Sequence, residues 1–156
     1  LYTHDALTGA LNRYGFAKLV EHTLKKANSE KIGFMIIDLD HFKQVNDTYG
    51  HFTGDIVLRR STEILEKALG LELCRWGGEE FVIMVPEQNL VLTKEIAERI
   101  RSRIEACETF VKPITISAGV SVYTGGDYHE AIAHADKALY FAKDSGRNMV
   151  IAYEDM

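Results

Sequence analysis

The chain has 156 residues, 46% hydrophobic and 26% charged, with only two prolines; this is the composition of one ordinary folded domain and excludes a largely disordered polymer. The formal net charge of -5 disfavours long-range attraction to nucleic acid or to an anionic membrane, while leaving room for a local basic pocket that takes phosphates. Cys74 and Cys107 fit neither a zinc spacing nor a disulfide framework, which points to a reducing, cytoplasmic setting, and the longest apolar runs, 34–37 and 81–85, are too short to span a bilayer. The chain starts at Leu1 rather than Met, so residues 1–156 are expected to be one domain cut from a longer protein.

From 13 to 27 the apolar residues Phe16, Leu19, Val20 and Leu24 recur at helical spacing. Residues 33–39 are a short apolar run, expected to be a buried strand with Asp38 at its carboxyl end. A polar stretch follows, with turn residues Asn46, Asp47, Gly50 and Gly54, and is read as a loop. Residues 55–69 are expected to be helical, with Ile56, Leu58, Ile64, Leu65 and Leu69 on the apolar side. Residues 71–76 and 79–85 are read as two strands around Gly77-Gly78, a tight hairpin whose two glycines take positive φ. A helix over 90–106 carries Ile96, Ile100 and Ile104, and a strand over 114–123 is rich in β-branched residues. A helix over 128–144 buries Ile132, Ala135, Leu139 and Ala142, with Gly146 as its stop, and 149–153 closes the chain as a strand. The order is α-β-α-β-β-α-β-α-β. It mixes a hairpin with crossover helices, so the expected fold is α+β and ferredoxin-like, a mostly antiparallel sheet covered by helices.

Three groups of residues could carry chemistry. Asp38 and Asp40 follow an apolar strand and alternate onto one side of it. Glu79 and Glu80 follow the hairpin turn, so pairing of the two segments would bring carboxylates together at one end of the sheet. Such hard oxygen ligands suit Mg²⁺, which keeps phosphate oxygens and waters as its other ligands. Each piece also has a plainer use, as solvated acids or a simple turn. The segment 43–55 supplies an amide (Asn46), an imidazole (His51) and a carboxylate (Asp55); together these could read the donor and acceptor edges of guanine. They could equally serve as turn and helix-start residues. Lys143 and Arg147, four apart near the end of the last long helix, could converge on one anion or simply complement the helix dipole.

The residues also match a known family. Asp38-Leu39-Asp40-His41-Phe42-Lys43, Asn46-Asp47, Gly50-His51 and Gly54-Asp55 resemble the first signature of GGDEF-family diguanylate cyclases, and Arg75-Trp76-Gly77-Gly78-Glu79-Glu80-Phe81 resembles the name-giving motif in its GGEEF form. Asp5-Ala6-Leu7-Thr8-Gly9-Ala10-Leu11-Asn12-Arg13 resembles the opening motif, and 135–148 resembles the closing stretch. The resemblance runs from about 5 to 153 and implies a nucleotidyl-cyclase-like five-stranded sheet with the GGEEF motif on a β-hairpin. It implies an enzyme that condenses two GTP into cyclic di-GMP and two pyrophosphates across a two-fold homodimer. It implies a Mg²⁺ site formed by Asp38, the carbonyl of Leu39, Glu79 and Glu80, with Glu79 also helping to deprotonate the attacking 3′-hydroxyl. Gly77 and Gly78 would let the triphosphate approach the backbone. Asn46 and Asp55, with His51 nearby, would read guanine, and Lys143, Arg147 and Lys43 would meet the phosphates. An acid at position 55 favours GTP over ATP. The inhibitory product site that many members carry as R-x-x-D falls here on Ala68-Leu69-Gly70-Leu71 and is expected to be absent. An upstream sensor or dimerisation domain is expected, and no nucleic acid or membrane contact. The alternative readings are a GTP-binding regulatory module without turnover, a mononucleotide cyclase, and a purely structural domain.

Overall fold

A computed structural model describes residues 2–26, 32–86 and 89–156. The elements are α1 (Arg13–Leu24), β1 (Ile32–Leu39), α2 (Phe42–Tyr49), α3 (His51–Leu69), β2 (Leu73–Arg75), β3 (Glu80–Pro86), α4 (Leu90–Glu105), β4 (Ile116–Tyr123), α5 (Tyr128–Asp144) and β5 (Val150–Ala152), then a short 3₁₀ turn, Tyr153–Asp155. Side chains cap three of the helices: Asn12, Asn89 and Asp127 accept from Gly15, Leu92 and His129 backbone N–H groups. The far end of the expected first helix, at 27, lies outside the described residues.

The five strands form one sheet in the order β2-β3-β1-β4-β5. All neighbours run antiparallel except β4 and β5, so the sheet is mostly antiparallel and the α+β expectation holds. β1 lies at the centre and every one of its residues is buried, because helices cover both faces. Its odd positions Met35, Ile37 and Leu39 pack with Leu65, Ile100 and Ile104 from α3 and α4. Its even positions Ile32, Phe34 and Ile36 pack with Phe16, Val20, Ile132 and Leu139 from α1 and α5.

Small residues set the height of α5 above the sheet. The α5-facing positions of β4 are Ser117, Gly119 and Ser121, and the Ser121 hydroxyl donates to the Ala131 carbonyl. A Cβ on Gly119 would lie 1.9 Å from the Ala135 carbonyl oxygen and 2.4 Å from the Leu139 nitrogen. Backbone therefore rests almost on backbone here, and the last turn of α5 is carried over the carboxyl end of β1.

Two expectations are corrected. The stretch after β1 is not a loop: residues 42–49 are α2, and α3 begins at His51, four residues before the expected start. Phe42 and Val45 share one face of α2 and are buried, and that burial outweighs the turn-forming bias of Asn46 and Asp47. Gly50, at φ 90°, separates the two helices. The hairpin is also not the tight glycine turn: neither Gly77 nor Gly78 has positive φ. The connection is longer, and the N–H groups of Trp76 (2.8 Å) and Gly77 (3.3 Å) both donate to the Glu80 carbonyl. On α3 the apolar stripe is as expected except for Ile56, which is 45% exposed.

Candidate active site

The carboxyl end of β1 and the β2–β3 connection meet through the backbone. Asp38 is the register partner of Glu80, and the Leu39 N–H donates to the Glu79 carbonyl at 3.3 Å. A cavity of about 420 Å³ opens at this corner, lined among others by Asp38, Leu39, Lys43, Glu79, Lys143 and Arg147. A carboxylate from the end of β1 and one from the β2–β3 connection thus share this cavity with Lys143, in the last turn of α5, and Arg147, just beyond it.

Asp38 is 5% exposed, and burial pushes its carboxyl up to about 6. The Lys143 ammonium forms an ion pair with it and opposes that rise, while the charges of Glu79 and Glu80 reinforce it. The group is an under-compensated buried acid that a further cation would satisfy. Among the described residues, no three His, Cys, Asp or Glu side chains gather as metal ligands. Two carboxylates and a carbonyl would leave half of an octahedral coordination sphere to water and phosphate oxygen, which fits Mg²⁺ rather than a structural zinc.

A second cavity of about 420 Å³ adjoins the first and is lined by Phe42, Lys43, Asn46, His51, Asp55, Leu58, Arg75, Gly78 and Glu79. Phe42, Lys43 and Glu79 line both. Asn46 and Asp55 come from different helices, α2 and α3, which touch at Gly54. A Cβ at Gly54 would lie 1.9 Å from Asn46 Oδ1, so glycine is what lets the amide side chain lie against α3. Lys43 reaches both cavities from the rim; its ion pair with Asp47 (3.0 Å) is largely exposed to solvent and holds it weakly.

The chain matches the family described as diguanylate cyclase, GGDEF domain, over residues 2–149. It belongs to that family. Diguanylate cyclase DgcP of Pseudomonas aeruginosa is 37% identical over 153 residues, a match covering 92% of this chain and 23% of the relative. The response regulator PleD of Caulobacter vibrioides is 39% identical, covering 94% of this chain and 35% of the relative. This GGDEF domain therefore spans between about a quarter and two fifths of the curated relatives it matches. The GGDEF domain of DgcB from Caulobacter crescentus, solved in complex with c-di-GMP, superposes with a TM-score of 0.88 at 32% identity, over 97% of this chain and 93% of that one. The active GGEEF domain of a diguanylate cyclase from Vibrio cholerae gives 0.75 at 30% identity, over 90% and 88%.

Of the site residues named from sequence, this GGDEF domain brings Asp38, Leu39, Glu79, Lys43, Lys143 and Arg147 to one cavity and Asn46, His51, Asp55 and Gly78 to the other. Gly77 lines neither, and a Cβ there would meet the Glu80 carboxyl at 3.0 Å. Glu80 lies across from Asp38 but lines a separate hollow with Arg13, Trp76 and Asp136, towards α1 and α5; burial raises its pKa. Sequence reasoning gave Phe42, Leu58 and Arg75 no part in the site, although all three line the second cavity. Arg75 donates from Nε and Nη2 to the Gly78 carbonyl at 3.1 and 2.8 Å and pairs through Nη1 with Asp5 at 3.2 Å. That contact fixes the hairpin loop where a glycine turn was expected. The segment 68–71 presents Ala68, Leu69 and Leu71 packed against the core and offers no charged side chain.

Proposed function

We propose that this GGDEF domain is the catalytic unit of a diguanylate cyclase, joining two GTP molecules into cyclic di-GMP with release of two pyrophosphates. One observation carries the reading: an acid-and-cation cavity adjoins an amide-and-carboxylate cavity, with Phe42, Lys43 and Glu79 shared between them. The first suits a triphosphate and the second a purine.

Asn46 and Asp55 read the guanine edges, the carboxylate accepting from N1–H and the exocyclic amine, with His51 beside them. Phe42 and Leu58 supply apolar surface under the base. Lys143 and Arg147 take the terminal phosphates and Lys43 assists from the rim. Asp38, the Leu39 carbonyl and Glu79 would hold Mg²⁺, and Glu80 adds negative charge from the adjoining hollow. When bound, the ion neutralises charge on the triphosphate and polarises the reacting phosphoryl group. The 3′-hydroxyl of one GTP attacks the α-phosphorus of the other; the new P–O bond forms as the bond to pyrophosphate breaks. Glu79, which lines both cavities, takes the hydroxyl proton. The rest of the rate enhancement is positioning and charge stabilisation.

One copy provides one such pair of cavities, so two copies face each other across a two-fold axis and each supplies one attack. The full protein is expected to bring them together through an upstream sensor or dimerisation segment, on the cytoplasmic side of any membrane the parent meets. Incubation with GTP and Mg²⁺, followed by chromatography, tests the reading: cyclic di-GMP and pyrophosphate are the expected products. Unchanged GTP would indicate a regulatory module, and cyclic GMP a mononucleotide cyclase.

A further inference from the structure

Asp40 stands two residues beyond Asp38 and points to the same side of the sheet, yet it lines neither cavity. It is 4% exposed and accepts three hydrogen bonds: from the Thr115 hydroxyl (2.7 Å), the Ser117 hydroxyl (2.6 Å) and the backbone N–H of Asn148 (3.0 Å). The last of these reaches the segment that carries Arg147. After α5 ends, Gly146, Arg147 and Asn148 all take positive φ, at 117°, 66° and 48°. Arg147 is neither glycine nor asparagine, and three consecutive residues of positive φ are rare, so this left-handed stretch persists where surrounding contacts hold it. The Arg147 N–H returns to the Ala142 carbonyl at 3.0 Å. The Asn148 side chain is gripped from α4, accepting from Arg101 Nη1 at 2.8 Å and donating to Glu105 at 2.6 Å. Arg101 is itself held by Glu98 and Glu105.

We propose that Asp40 is a positioning residue: with Asn148, Arg101 and Glu105 it locks the left-handed turn 146–148, and so fixes Arg147 in the phosphate cavity. This rests on the reading of that cavity as the triphosphate site. The acid that sequence reasoning grouped with Asp38 is thereby divided from it in role. Asp38 faces the substrate, and Asp40, one β-repeat further on, secures the cation that meets the phosphate tail.

The test compares binding of GTP with binding of GMP, which lacks the terminal phosphates, in the parent and in Asp40→Asn, Arg147→Ala and the double variant. A charge-assisted contact to phosphate lost through misplacement should lower the GTP-to-GMP affinity ratio about tenfold in Asp40→Asn. In the Arg147→Ala background the same substitution should change that ratio less than about twofold, because the two act through one contact. A merely structural Asp40 would weaken both nucleotides alike, or lower the ratio equally in both backgrounds; either result overturns the proposal. If Asp40→Asn does not fold, Arg101→Gln releases the same turn from the α4 side, and a smaller loss of the ratio, absorbed by Arg147→Ala, is expected; an unchanged ratio there overturns it. If Arg147→Ala itself leaves the ratio unaltered, the phosphate assignment of the cavity fails. If it lowers the ratio and Asp40→Asn does not, only the positioning role fails.

Discussion

Asp38 concentrates the cost of building the site. Its carboxyl titrates near 3.8 when ordinary and at about 6 in the fold, because burial disfavours the charge more than Lys143 restores it. Folding therefore takes up a proton between those values. The stability penalty is absent below about pH 4, grows as pH rises to about 6, and stays constant above; at 1.36 kcal/mol per unit it amounts to about 3 kcal/mol at most. Asp38→Asn should then abolish turnover while making the metal-free protein about 1–3 kcal/mol more stable at pH 7, with the gain vanishing near pH 4. Urea midpoints of parent and variant across that range check this, and a less stable variant at pH 7 would refute the account of the charge. Glu79→Gln should likewise abolish turnover with the fold retained. Asp55→Ser should loosen the preference for GTP over ATP, read as the ratio of kcat/KM values; an unaltered ratio would remove Asp55 from base recognition.

At the scale of elements, the close seating of α5 on β4 is what delivers Lys143 to Asp38. Gly119→Ala would force a Cβ into the backbone of α5, costing about 3 kcal/mol and weakening GTP binding with it. Thermal unfolding and GTP titration of that variant measure both, and a stable variant with unchanged affinity would show that the helix can ride higher. The sequence made β1 and α5 legible because both are long, strongly patterned and bounded by clear signals. It misread 42–55, since Asn46, Asp47, Gly50 and Gly54 carry turn chemistry, and only the tertiary burial of Phe42 and Val45 makes that stretch helical. The hairpin was misjudged for a related reason. Arg75 holds the Gly78 carbonyl from its own strand and is braced by Asp5, a contact seventy residues away along the chain. The acids and cations of the site were legible as motifs. The parts that Phe42, Leu58 and Arg75 play in the site were not, because these are packing and backbone support, visible only once α2, α3 and the hairpin are assembled.

At the scale of the whole molecule, the proposed condensation needs two nucleotides, and on that proposal one copy's pair of cavities holds one of them. Specific activity should rise with protein concentration until dimers saturate; activity strictly proportional to concentration down to the dilute limit would argue that one copy suffices. The end of α3 and the residues just after it present Ala68 and Leu71, packed against the core, where charged residues would be needed to hold a product phosphodiester. Initial rates should therefore be insensitive to added cyclic di-GMP at that locus, and tight product binding to an Asp38→Asn variant would contradict this. Divalent-metal-dependent nucleotide binding tests the central geometry most directly. GTP should raise the melting temperature of the parent only when Mg²⁺ is present, and Asp38→Asn should erase the dependence on the ion. An equal GTP-induced rise with and without Mg²⁺, or a dependence that survives in Asp38→Asn, would contradict a cation held between β1 and the hairpin.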